Sequence, residues 1–282
     1  MENQKSSLFF ISIVIIISSS SVFGLSPMGA PKANLTEGKW SLGLEYEHSN
    51  MDIETSLDFS TEIIDGTTMP PSVKSKYKIE DLKSDMFFTN VGYGITENCD
   101  IYLRLGISDA QTNINEIQAG GTTGEQFRGF DSNFGFAWGI GSRATFFEEG
   151  NLSIGGLLQT NWTNPDSSEI TISGDPYFSG KAEIEYWEIQ MAAGPTFEFD
   201  YFRIYGGPFL HFLSGDIDLN GTGIYPGPTT ITLESSKDIE KNTEIGGFVG
   251  VQFDIEENYS LYTECQFTSD AWGLGAGIIW KF

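Results

Sequence analysis

Cysteine, histidine and basic residues are all scarce in this chain of 282 residues: two cysteines, two histidines, and 15 lysines and arginines against 39 acidic residues. Each scarcity excludes something. Two cysteines make no disulfide framework, so Cys99 and Cys265 are expected as free thiols. The formal net charge of −24 excludes nucleic acid as a partner, because a phosphate backbone is held by basic side chains. No Gly-x-Ser-x-Gly, phosphate-loop or zinc motif occurs. Past residue 24 no apolar run reaches the length of a membrane helix, so any bilayer crossing there must be made by strands.

What is present begins with a leader. Lys5 precedes an apolar core from Leu8 to Ile17 and a serine run, which reads as a secretory signal peptide over residues 1–24, cleaved after Gly24 or somewhat later. The chain carries 33 Gly, 22 Phe, 11 Tyr and 6 Trp, yet its mean hydropathy is near zero. Apolar residues at every second position give that average.

The final twelve residues display the pattern. Trp272, Leu274, Ala276, Ile278, Trp280 and Phe282 fall on one face, and Gly273, Gly275, Gly277 and Lys281 on the other. Residues 86–107 hold two such runs joined by a tight polar turn, a β-hairpin. Long polar stretches alternate with short turns along the rest of the chain, and the count comes to ten strands, with eight or twelve as alternatives. Leu152 to Trp162 is a rise of ten residues, which at about 3.3 Å each and a tilt near 40° spans roughly 25 Å, the height of a membrane barrel's apolar band. Aromatics collect at two levels: Trp40, Phe146, Phe197, Phe253, Tyr259 and Trp280 at the turn end, and Phe134, Trp162, Trp187, Phe212, Phe267 and Trp272 at the loop end. These features predict an all-β, antiparallel, up-and-down transmembrane barrel. A secreted soluble barrel or sandwich would instead turn those aromatics inward and leave the glycine faces against water.

The chain's end adds a resemblance. Gly277-x-x-Trp280-x-Phe282 resembles the C-terminal insertion signature of Gram-negative outer-membrane β-barrels, although Gly275 stands where those proteins usually have a polar residue. Over residues 39–282 the chain is similar to the small OmpA- and OmpW-like barrels and to porins. That resemblance implies residence in the outer membrane, contact with its lipid, insertion by the barrel-assembly machinery, and a monomer or small oligomer. It also implies short turns in the periplasm, long loops outside, and residues 25–38 as a periplasmic lead-in. It implies no substrate.

The inward faces set the functional expectations. Glycines leave room for long side chains, with Arg104, Arg143, Arg203 and Lys281 near the turn end and Glu45, Glu47, Glu188, Glu244 and Glu264 from mid-depth upward. Eight strands are just filled by their own side chains and sixteen leave a channel, so ten predict a plugged or very narrow lumen. The leading expectation is a non-enzymatic outer-membrane protein presenting acidic loops. An alternative is a small porin passing cations or small solutes. A more distant one is a surface hydrolase using a rim histidine, His48 or His211, with no catalytic group assigned. In the loop stretch, Asp216-x-Asp218-x-Asn220-Gly221 matches the first half of a calcium loop, but Gly227 occupies the twelfth position where a bidentate Glu belongs. No other cofactor is implied.

Overall fold

The computed structural model describes residues 25–58, 60–63, 74–118, 126–172, 177–224 and 230–282; the leader at residues 1–24 lies outside them. Strands follow in the order β1 (Trp40–Asp58), β2 (Ser60–Ile63), β3 (Lys74–Thr96), β4 (Cys99–Ser108), β5 (Gln111–Gln118), β6 (Gln126–Asp131) and β7 (Gly135–Glu149). After these come β8 (Leu152–Asn164), β9 (Ser168–Ile172), β10 (Tyr177–Glu198), β11 (Phe202–Ile224), β12 (Thr230–Glu256), β13 (Tyr259–Phe267) and β14 (Ala271–Lys281). Ten of them, all but β2, β5, β6 and β9, close into an antiparallel barrel, because β1 pairs with β14 on one side and β3 on the other. At the seam, Trp40 and Phe282 exchange backbone hydrogen bonds of 3.0 and 2.9 Å. Turns at this end are short. The β7–β8 turn passes through Gly150 at φ 59°, a left-handed conformation that costs glycine nothing.

At the other end the wall continues outward. β3 pairs with β5, β5 with β6, β6 with β9 and β9 with β10, while β2 pairs with β12. Much of what the sequence reads as loop is therefore strand, and β10, β11 and β12 run 22, 23 and 27 residues.

The reason lies in a reversal of polarity along each long strand. In the lower part of β10, Trp187, Ile189 and Met191 face outward while Glu188 and Gln190 are buried inside. Above Trp187 the order inverts: Lys181, Glu183 and Glu185 are exposed, and Ala182, Ile184 and Tyr186 are buried. β11 does the same, with Leu210 outside and His211 inside, then Asp216 exposed and Ile217 buried. Below the inversion the solvent of the outer wall is hydrocarbon; above it, water. Two aromatic belts bound the lower zone. Trp40 packs on Tyr93 and Tyr259 on Trp280 at one level; Tyr46 packs on Phe87, Phe136 on Trp162 and Trp138 on Trp187 at the other. Trp162 Nε1 donates 2.9 Å upward to exposed Glu185, as an interfacial indole should. The Trp138–Trp187 contact, centroids 5.4 Å apart, lies on the outward register of β7 and β10, so the soluble alternative with inward-turned aromatics is excluded.

Residues 25–38 correct the expectation of a lead-in below the barrel. Leu25, Ser26, Met28, Ala30, Lys32 and Leu35 are buried, and their partners lie on strands around the lumen. The glycine faces explain why. An added Cβ at Gly273 would stand 2.1 Å from the Leu25 carbonyl oxygen, at Gly275 2.4 Å from the Pro27 ring, and at Gly155 2.1 Å from the Pro31 carbonyl oxygen. These glycines leave space for the chain's own backbone. Others make room for rings, Tyr102 over Gly141, Tyr205 over Gly250 and Tyr262 over Gly277.

Candidate functional site in the barrel lumen

The interior is stacked in layers. At mid-depth Arg104, 0 % exposed, is the hub. β4 aims it inward between outward Leu103 and Leu105, and it lies across the lumen with its guanidinium 4.1 Å from the centre of the Phe88 ring. Its Nε and Nη2 donate to Glu45 Oε2 at 3.1 and 2.9 Å, Nη2 reaches Glu47 Oε2 at 3.3 Å, and Nη1 donates to Asn161 at 2.8 Å. The Tyr262 hydroxyl donates to the other oxygen of Glu45. Arg104 thus belongs to the middle of the barrel, not to its turn end.

Beside this hub the N-terminal segment is seated on carboxylates. Ser26 Oγ lies 2.9 Å from Glu47 Oε1 and 2.8 Å from Glu188 Oε2. Glu264 accepts the Met28 and Gly29 amides, one on each oxygen, at 2.9 Å. Gln266 and Gln159 donate to the Ser26 and Pro27 carbonyls, and Gln190 links the two glutamines. His211 Nε2 is 3.3 Å from Glu188, its Nδ1 4.0 Å from Glu244, and Glu244 accepts the Thr268 hydroxyl at 2.6 Å.

The turn end is held by a second set. Asp100 accepts the Asn34 and Leu35 amides and lies 3.4 Å from Arg143, whose guanidinium covers Tyr102. Lys32 bonds Glu198 at 2.8 Å and Ser153 at 3.1 Å, and Arg203 bonds Asp254 at 2.9 Å and reaches Asn34 at 3.3 Å. Lys281 lines a cavity with Asp100, Arg143 and Glu45 whose volume is about 20 Å³, room for a single water. On the outer side, Met51, Leu82, Met86, Phe130, Ile184, Leu213 and Ile217 form an apolar layer that joins Leu25 in one buried cluster. The N-terminal segment thus occupies the lower lumen, with an apolar layer above it.

Several of these groups went unread in the sequence. The short polar turn between the two runs of residues 86–107 ends at Asn98, so Asp100 belongs to β4 and shares the inward register of Tyr102 and Arg104. Carrying the Ile101–Leu103–Leu105 alternation two residues further back would have found it. Gln159, Gln190 and Gln266 are uncharged and stood out in no pattern.

Outside the lumen, Asp216, Asp218 and Asn220 occupy alternate positions of β11, opposite Glu185, Glu183 and Lys181 of β10. An extended strand rises about 3.3 Å per residue, so the outer two stand roughly 13 Å apart along it and cannot converge on one ion. The spacing that suggested a calcium loop is the period of a solvent-facing strand. Gly227 lies outside the described residues, among which no three His, Cys, Asp or Glu side chains gather to hold a metal. Cys99 and Cys265 are free. In the C-terminal signature, Trp280 stacks on Tyr259, Phe282 closes the seam, and Gly277 clears the Tyr262 ring.

Just above the outer aromatic belt, Asp85 accepts from Tyr46 Oη at 2.6 Å and His48 Nδ1 at 2.8 Å. The bond to Asp85 raises the His48 pKa above its ordinary value against an opposing effect of partial burial. The same bond lowers Asp85, again against burial. His48 is raised, so the pair's contribution is complete below the ordinary histidine value near 6.5 and is lost as pH rises through the raised one. Both groups are partly exposed, which holds the contribution to less than about 1 kcal/mol. Titration by NMR should find His48 above the ordinary value, and D85N should return it there.

A closed barrel whose wall is apolar between two aromatic belts, with charge turned inward, is an integral outer-membrane β-barrel. The chain is similar to the outer-membrane protease OmpT from Escherichia coli, with 7% identity over 92% of this chain and 99% of that one and a TM-score of 0.49. It is also similar to the outer-membrane protein OprG from Pseudomonas aeruginosa, with 10% identity over 88% and 97% and a TM-score of 0.43. The toluene transporter TbuX of Ralstonia pickettii aligns at 10% identity over 94% and 95%, with a TM-score of 0.40. No protein-family model and no curated protein sequence matches the chain.

Proposed function

We infer that the protein is a closed, non-enzymatic outer-membrane barrel that carries a rigid β-walled extension, acidic on its outer face, above the membrane. The observation that supports this most directly is the lumen occupied by the chain's own N-terminal segment. A barrel filled by its own N-terminal segment and capped by an apolar layer serves as a mount, and what it mounts is the outward run of β1, β3, β10, β11 and β12. That run presents Asp52, Glu183, Glu185, Asp216 and Asp218 to water. Such a surface suits partners that approach with cations, whether basic proteins or metal-bridged lipid headgroups.

The histidines support the absence of catalysis. His211 is enclosed between Glu188 and Glu244 beneath the apolar layer, out of reach of any surface substrate. His48 shares its outward face with Asp85, while Ser49 and Ser84 are buried on the opposite face. Delivery to the membrane through the barrel-assembly machinery, reading Gly277, Trp280 and Phe282, belongs to the same proposal.

Purified protein in planar bilayers is expected to give flat traces across the working voltage range. Discrete current steps from the unmodified protein would overturn the closed-barrel reading in favour of a small cation channel.

A further inference from the structure

Four carboxylates take backbone or hydroxyl donors from the N-terminal segment, and three of them stand beside a basic side chain. Glu47 lies 3.3 Å from Arg104, Glu188 3.3 Å from His211 and Asp100 3.4 Å from Arg143. Glu264 is the fourth. It is 1 % exposed, and among the described residues no cation is in ion-pair contact with it. Neutral donors alone meet its charge. Oε1 accepts the Met28 amide at 2.9 Å and Gln266 Nε2 at 2.6 Å, and Oε2 accepts the Gly29 amide at 2.9 Å. Gln266 Nε2 also donates 2.7 Å to the carbonyl of Ser26, at the tip of the segment.

The local backbone explains this grip. Gly29 has φ 78°, a left-handed conformation that only glycine adopts freely, and the turn it makes aims two consecutive amides at one carboxylate. Successive N–H groups around such a turn form a concavity suited to an anion. The elements packed against Glu264 bring little charge. β12 and β14 place Gly250 and Gly275 directly opposite it, and the Tyr205 hydroxyl of β11 lies over Gly250. On its own strand, the Tyr262 hydroxyl is engaged with Glu45. Arg143 of β7 flanks the turn itself, with Nη1 3.5 Å from where a Gly29 Cβ would stand.

An ionised carboxylate only accepts, and an N–H bond to it is about twice as strong as one to a neutral group. A protonated carboxyl carries a hydrogen of its own into a site built from N–H donors. We propose that Glu264 is a proton-operated latch on the lumen plug: ionised, it clamps Met28 and Gly29, and on taking up a proton from water it lets that turn go. Release begins there, because Asp100, supported by Arg143, keeps its hold on the Asn34 and Leu35 amides. This inference rests on the closed-barrel reading and adds a control to it.

Amide hydrogen exchange of the folded protein in detergent, normalised to the intrinsic rate at each pH, tests the latch. Between about pH 8 and about pH 5, protection at Met28 and Gly29 should fall roughly tenfold or more, while Asn34, Leu35 and the strand amides of Leu103 and Ile189 keep theirs. E264Q sets an NH2 group against one of the two backbone donors, so it should show the low protection at both pH values and no dependence between them. Level protection across pH in the unmodified protein, or high protection in E264Q, overturns the proposal. The unmodified protein decides alone if the variant does not insert. Bilayer recordings of the same samples separate the two readings. Current steps from the unmodified protein at about pH 8, with exchange as expected, remove the closed barrel alone; silent traces with level protection remove the latch alone.

Discussion

Deletion of residues 25–36 is expected to turn a silent barrel into a cation-preferring channel. The segment gives backbone or hydroxyl donors to Glu47, Glu188, Glu264 and Asp100. A hydrogen bond to a charged group contributes roughly 1.5–3 kcal/mol. Removing the donors need not unfold the barrel, because the vacated lumen admits water that takes over the acceptors. What remains on the wall is an excess of carboxylates, and an acidic passage concentrates cations. Bilayer recordings should show discrete steps with a reversal potential favouring K+ over Cl−, and the E47Q/E188Q pair should reduce that preference. Gly273→Leu offers a second route that leaves the chain length intact, since its Cβ would stand 2.1 Å from the Leu25 carbonyl and must push the tip aside. Flat traces from both variants would mean that the apolar layer formed by Leu82, Phe130, Ile184 and Ile217 closes the pore unaided.

The second large effect is expected at Arg104. Its guanidinium serves two carboxylates and an amide at once and is wholly buried. Arg104→Met keeps most of the volume but leaves Glu45 and Glu47 buried without their cation, a change that costs roughly 3–5 kcal/mol. Lysine should rescue poorly, because a point charge cannot reproduce the fork that meets Glu45 through two nitrogens while reaching Asn161 with the third. Adding Glu47→Gln to Arg104→Met should recover part of the loss. The temperature at which the folded, faster-migrating form disappears on unheated gels provides the readout. An unchanged midpoint in Arg104→Met would show that the hub contributes no net stability.

The ten strands and their faces were legible because a period of two is the plainest signal a sequence carries, and β14, β13 and β10 hold it without interruption. Ring placement at two levels followed from the same reading. The outer extension was missed for a definable reason. Above Trp187 and Phe212 the wall trades hydrocarbon for water, so the apolar face switches sides. A reader looking for outward Ile and Leu finds Glu183, Glu185, Asp216 and Asp218 and concludes loop. The phase of Ala182, Ile184 and Ile217 was available to say otherwise. Asp216 and Asp218 then suggested a metal for the same reason, as a polar face taken out of its strand.

The lumen segment was legible only in reverse. Residues 25–38 hold no alternation, and Pro27, Gly29 and Pro31 speak against a strand. Its position depends on partners 21 to 240 residues away, from Glu47 to Gln266. The sequence did display the matching vacancy, a row of inward glycines on β14 and β8, which was assigned to long side chains instead of to backbone.

The seam between Trp40 and Phe282 joins the two ends of the described chain through one strand. The tip at Leu25 and Pro27 rests on Gly273 and Gly275, which belong to the last strand made, while Trp40, only a few residues past the plug, begins the strand to which that last strand joins. The same strand therefore carries both the filling and the fastening of the ring, and whatever loosens its edge slackens the stopper with it.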